Sequence, residues 1–205
     1  MRTFVKRLAV LALGGWVAAA AGCAGSPHTR FYVLTPVVGI ETSNPAVPSN
    51  AGLAVGIRRV ALPDYLDRPQ IVTRAGPNTL DLAEFDRWAA PLAETFPRIL
   101  AENLAGLIPT DRVAAFPWPK GAQPDYEVTV EVTQLEGRLG GECVLIARWS
   151  VFGRESKALL TTGKSSLTES AGGDYETLVA ATSRLIGALS RDIATAVKTI
   201  PREEE

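Results

Sequence analysis

The residue whose position most constrains the chemistry of this chain is Cys23. It follows Ala20, Ala21 and Gly22, which end an apolar run over residues 8–21, and that run is preceded by Arg2, Lys6 and Arg7. A basic start, a short apolar stretch and small residues before a cleavage point make a secretory signal. At about fourteen residues the run is shorter than the roughly 20 needed to cross a bilayer core as a helix. Small side chains leave a peptidase room at the backbone, and a cysteine directly after them is the lipobox arrangement, in which the thiol takes a diacylglyceryl group. An ordinary cleaved signal followed by an incidental cysteine is the alternative. Lipid chains contribute about 0.8 kcal/mol per buried methylene, so one chain holds marginally and several hold firmly. Position 24 is Ala rather than Asp, which under enterobacterial sorting directs the chain to the periplasmic face of the outer membrane.

The other groups that could do chemistry are sparse. The one histidine, His28, lies five residues beyond Cys23 in a polar tether, where the geometry of a catalytic triad or a zinc site is hard to hold. There is no Gly-x-Ser-x-Gly elbow, no phosphate loop and no paired-cysteine spacing. Carboxylates cluster at Asp64 with Asp67, and at Asp81, Glu84 and Asp86. Such pairs can act as acid and base or hold calcium, but neither has the spacing of an EF-hand, and solvated loop charge explains both more simply. Cys143, the second of two cysteines, has no partner for a disulfide within the mature chain, and its apolar neighbours at 144–147 make it a small buried hydrophobe. No catalytic residue, metal site or cofactor is expected.

Four stretches follow from composition. Residues 1–22 are the signal, 23–30 a lipidated tether, 31–200 one domain with a sizeable core, and 201–205 an acidic tail. Without the three basic residues of the signal, the 21 Lys and Arg fall to 18 against 22 Asp and Glu, and neither sign gathers into a block. A nucleic-acid surface is therefore not expected. Residues 41–52 have the Pro, Asn and Ser content of a loop.

The remaining patterns supply the elements. Residues 31–34 and 53–60 read as strands, and 70–74 with 79–82 as a hairpin around Gly76, Pro77 and Asn78. Leu92, Phe96, Ile99, Leu100, Leu104, Leu107 and Ile108 form a helical stripe. Pro97 predicts either a kink there or a helix that begins at Phe96 with Thr95 as its cap. After a strand at 112–116, Tyr126, Val128, Val130 and Val132 alternate with Glu127, Thr129, Glu131 and Thr133 as a strand with one wet side. A turn at Gly140 and Gly141 leads to 143–152, whose Val144, Leu145 and Ile146 predict cover on both faces. A third strand at 159–168 completes an antiparallel meander. Asp174 caps a long helix whose stripe runs from Leu178 to Ile200 and stops at Pro201. The fold class is α+β, a mixed and largely antiparallel sheet packed by two main helices. Trp149 belongs to the core; Trp88 and Trp118 lie beside prolines in connections, where packing and partner contact compete.

Residues 60–74 (VALPDYLDRPQIVTR) and 84–92 (EFDRWAAPL) resemble the PqiC-like ABC-type transport auxiliary lipoproteins. The likeness runs more loosely through Arg98 to Leu104, residues 126–135 and the closing helix. It implies a compact α/β domain similar to the amino-terminal domain of TolB. It also implies a non-enzymatic lipoprotein of the outer membrane, serving a system in which an inner-membrane component and an MCE-domain protein move lipid between membranes and keep the envelope intact. Cys23 is the one functional position the likeness transfers. Tyr65, Asp67 and Arg68, together with Trp88, form either a contact surface for the MCE partner or a neighbouring copy, or a loop pinned against the core. A docking module, repeated in a ring of copies, is the first functional expectation. A carrier holding an acyl chain between the sheet and the long helix is the second.

Overall fold

The alternation of Tyr126, Val128, Val130 and Val132 with polar residues builds the strand around which the molecule is organised. The computed structural model describes residues 28–37, 53–110, 112–118, 122–154 and 158–201. Its elements are β1 (Arg30–Tyr32), β2 (Val55–Ile57), β3 (Gln70–Gly76), β4 (Thr79–Trp88), α1 (Leu92–Leu107), β5 (Val113–Ala115), β6 (Tyr126–Gly137), β7 (Glu142–Gly153), β8 (Leu159–Ser170) and α2 (Tyr175–Thr199). Cys23, the loop at 41–52 and residues 202–205 lie outside the described residues.

The eight strands make one mixed sheet, as the sequence predicts. Along one edge of β6 the antiparallel meander continues through β7 and β8. The other edge is divided. β2 pairs in parallel at the Tyr126 end, with Val55 opposite Tyr126, and β3 meets the far end, with Thr73 opposite Gly137. β5 adds outside β2, while β4 and then β1 add outside β3. The sheet thus forks at β6 into a β2–β5 branch and a β3–β4–β1 branch.

α1 packs over β2 and β5, α2 over β7 and β8, and the helices pack on each other. Their core joins Phe96, Leu100, Leu185 and Leu189 to Val128, Val130, Leu145 and Val151. The opposite face carries exposed Glu131, Arg148 and Lys164 in one cross-strand row, in which the opposite charges of Glu131 and Arg148 favour pairing and the like charges of Arg148 and Lys164 oppose it. Trp149 is buried as expected, with its indole N–H donating to Ser165 Oγ at 3.2 Å. Its ring occupies the space a side chain at Gly163 would need, since a Cβ there would stand 2.2 Å from it. Cys143 is buried, its sulfur 3.6 Å from Thr182 Oγ1, and burial raises its thiol pKa.

Several local expectations are corrected. α1 begins at Leu92 with Pro91 in the cap position, not at Phe96. Thr95 lies inside the first turn, where its hydroxyl donates to the carbonyls of Pro91 and Leu92 at 3.3 and 3.4 Å. Pro97 is accommodated because the carbonyl it leaves without a helical donor belongs to Ala93, an exposed residue whose oxygen water can reach. In β7 only the face of Cys143, Leu145, Ala147, Trp149 and Val151 is buried; Val144 and Ile146 are half-buried, because no described element packs over the outer side of the sheet there. β4 runs past Leu82 to Trp88, so Asp81, Glu84 and Asp86 are strand residues rather than loop charges, and Trp88 ends a strand. α2 follows its prediction: Asp174 is the cap, accepting from the Thr177 N–H at 2.8 Å.

Candidate docking site

A break in the alternation of β6 creates the most distinctive polar site. The register shifts between Val132 and Gln134, leaving Thr133 as an extra residue, a β-bulge. Leu135 and Gly137 then pair with core residues Leu145 and Cys143, while Gln134 and Glu136 pair with Ile146 and Val144 on the side away from the helices. Glu136 is nevertheless buried, with its side chain 0% exposed. A buried carboxylate is stable only when its oxygens are matched by donors. Here Arg74 gives two, from Nε at 2.9 Å and a terminal nitrogen at 2.5 Å, Gln134 gives its amide at 2.9 Å, and the Tyr65 hydroxyl donates at 2.5 Å. Burial above all, then the hydrogen bond and the charge of Glu136, push the Tyr65 phenol well above an ordinary tyrosine.

That network fixes the segment at 63–69. Ala61 bonds β6 on both sides, donating to Val130 O at 3.0 Å and accepting from the Val132 N–H at 2.8 Å. A single 3-10 turn, Asp64–Leu66, follows and buries Leu66. The Trp88 N–H then closes onto Pro69 O at 2.7 Å. Of the four residues singled out from the sequence, Tyr65 and Trp88 are half-buried and pack against the core. Asp67 is exposed, and Arg68 is half-buried with its Nε enclosed and lacking a hydrogen-bond partner. The structure therefore brings segment and tryptophan together, with Tyr65 and Trp88 packed against the core and Asp67 exposed beside the half-buried Arg68.

A second charged cluster joins β1 to β4. Asp86, buried, accepts from Arg30 Nε at 2.8 Å and from the Tyr32 hydroxyl at 2.7 Å. Burial, followed by the hydrogen bond and charge of Asp86, pushes Tyr32 up to about 12. Sequence reasoning missed Glu136, Arg74 and the Arg30–Asp86–Tyr32 group. Glu136 left one signal, a charge in the same phase as Val128, Val130 and Val132; Asp86 left none, since its partners stand more than fifty positions away. At the other branch of the sheet, Trp118 lies across Gly56, where a Cβ would meet its ring at 2.6 Å. Phe116 stands edge-on to it at 5.7 Å and Arg58 stacks over it at 5.8 Å.

His28, Asp64 and Asp67 are exposed and apart from the Glu136 network. Among the described residues no group of three or more His, Cys, Asp and Glu could hold a metal, and no helix is long and apolar enough to cross a membrane. The space between the sheet and α2 narrows to a crevice of about 20 Å³ lined by Leu66, Trp88, Leu92, Leu135 and Leu178, among others.

Comparison with known proteins supports the resemblance read from residues 60–92. The intermembrane transport lipoprotein PqiC of Escherichia coli (strain K12) is 30% identical over 129 residues, 63% of this chain and 66% of that protein. The Shigella flexneri protein of the same description gives the same figures. The chain thus spans just under two thirds of the length of these relatives. Among solved structures, an uncharacterized protein superposes with a TM-score of 0.67 at 21% identity, over 83% of this chain and 99% of its own. A Xanthomonas campestris protein gives 0.65 at 15% identity, over 82% and 95%; both likenesses concern the fold. The model of the family described as ABC-type transport auxiliary lipoprotein component matches residues 32–194, from β1 well into α2, and this chain belongs to that family.

Proposed function

We propose that the chain is an outer-membrane-anchored subunit of an intermembrane lipid transport system, attached through Cys23, which receives the periplasmic end of an MCE-domain protein whose other end is held by an inner-membrane component. The family supplies the transport and lipoprotein character, and the description of PqiC as an intermembrane transport lipoprotein supports the bridging role. The observation that carries docking over an acyl chain held between the sheet and α2 is the narrowness of the crevice there; the larger space, beside β1, is a groove on the surface. A space of about 20 Å³ holds a single water, whereas pockets for small ligands run to roughly 300–1,000 Å³. An acyl chain beneath α2 would have to part the helices from the sheet. Asp67 and Arg68 form the contact crest in this reading, with Tyr65 and Trp88 holding it in position; copies of the chain assembled side by side would present several crests to one partner.

The test is capture from membranes with the full, lipidated chain, read by mass spectrometry. Recovery of an MCE-domain protein, reduced at least tenfold by Asp67→Ala with Arg68→Ala while the urea midpoint stays unchanged, is the expected result. Stoichiometric lipid extracted from the purified chain, with no such protein captured, would instead favour the carrier.

A further inference from the structure

The free edge of β1 faces a groove of about 680 Å³, bounded on its other side by Asp174, Glu176, Val179 and Ser183 at the start of α2. Two apolar side chains stand on its rim without cover, Phe31 at 65% and Val33 at 59% exposure, the highest values among the large apolar side chains described. Exposed apolar residues scattered singly are ordinary surface; what separates this pair from the others is its place in the chain. Seven residue steps separate Arg30 from Cys23, and at no more than about 3.6 Å per residue the strand cannot stand further than roughly 25 Å from the lipidated sulfur's own backbone. Leu159, 55% exposed, lies in β8. It is five strands from β1 across the sheet, or roughly 24 Å at 4.7–4.9 Å per strand.

We infer that Phe31 and Val33 seat in the headgroup region of the bilayer that holds the anchor, so that the β1 edge is a membrane contact and the molecule stands on it in one orientation. The inference rests on lipidation of Cys23. The anchor supplies the attachment, and the two side chains convert a flexible tether into a fixed attitude, since apolar and aromatic side chains partition to the level of the headgroups and upper acyl chains. Arg30 is already neutralised by Asp86, and Asp174 and Glu176 flank the groove, so the contact is apolar and does not depend on anionic lipid. With β1 at the membrane, the β2–β5 branch and Trp118 are carried at the opposite end of β6.

Depth measurement by spin labelling tests this directly. The full chain is produced with its signal, purified in detergent and reconstituted into vesicles of phosphatidylethanolamine and phosphatidylglycerol. Phe31→Cys, Val33→Cys and, as control, Leu159→Cys each carry a nitroxide; Cys143, 1% exposed, does not compete for the label, and an unchanged urea midpoint certifies each variant's fold. Collision with oxygen should exceed collision with a soluble nickel chelate at 31 and 33 and fall below it at 159. Floating vesicles whose labels at 31 and 33 match the water-exposed control would overturn the contact alone. A chain that fails to float with the vesicles would overturn anchor and contact together.

Discussion

At the scale of single residues, Glu136 is the side chain on which the most depends. Its donors come from three places in the sequence, Tyr65, Arg74 and the adjacent Gln134, and Arg74 also donates to Pro77 O at 2.9 Å across the hairpin turn. Removing one partner of a buried ion pair strands the other charge, at a cost of about 3–5 kcal/mol. Arg74→Ala should therefore lower the unfolding free energy measured in urea by an amount near the lower end, since Arg74 itself is partly exposed. Tyr65→Phe should cost less, about 1.5–3 kcal/mol for a hydrogen bond to a charged group. The same phenol makes the fold sensitive to alkali. A tyrosine raised above its ordinary value of 10 contributes stability that is complete below pH 10 and is lost as pH rises through its folded value; Tyr65 is raised in this way and Tyr32 to about 12. The urea midpoint should fall from pH 10 to 12, and Tyr32→Phe with Tyr65→Phe should flatten that fall.

At the scale of elements, close approach across paired strands sets the tolerances. Trp149 lies over Gly163 because the glycine has nothing to displace it, and a methyl placed there would meet the ring at 2.2 Å. Overpacking of this kind costs about 1–3 kcal/mol, so Gly163→Ala should lower the thermal midpoint, and Trp149→Phe combined with it should recover part of the loss. Those strands were legible in sequence because their periodicity is local: the run from Val128 to Val132, the turn at Gly140, the cap at Asp174 and the stripe of α2 all show within a few residues. The length of β4 was not legible, because its second half is held by long-range partners, Pro69 and β1, rather than by a pattern of its own. The sequence left the start of α1 open between a helix running through Pro97 and one beginning at Phe96, because Pro97 dominates local propensity, whereas Pro91 and the burial of Leu92 set the boundary. For the docking site the conspicuous residues Tyr65 and Trp88 could be picked out, but their buried partner Glu136 depends on a one-residue bulge that shifts every later side chain to the opposite face.

At the scale of the whole molecule, β6 holds two branches that come from different parts of the chain. β7, β8 and α2 follow β6 without interruption, so their contacts close over short distances in sequence. By contrast, Val55 must find Tyr126 and Thr73 must find Gly137, and parallel pairings over such separations are slow to form. Pulsed hydrogen exchange during refolding should protect the amides of β6, β7 and β8 before those of β2 and β3; simultaneous protection would refute that order. The β1–β4–β3 branch, synthesised first, can pair within itself but has no β6 to join until the second half has been made. In the secreted lipoprotein proposed above, export with the amino terminus leading would keep that branch and the still unpaired β2 waiting for their central strand, and this is the interval in which a holding chaperone has most to protect and a quality-control protease most to cut.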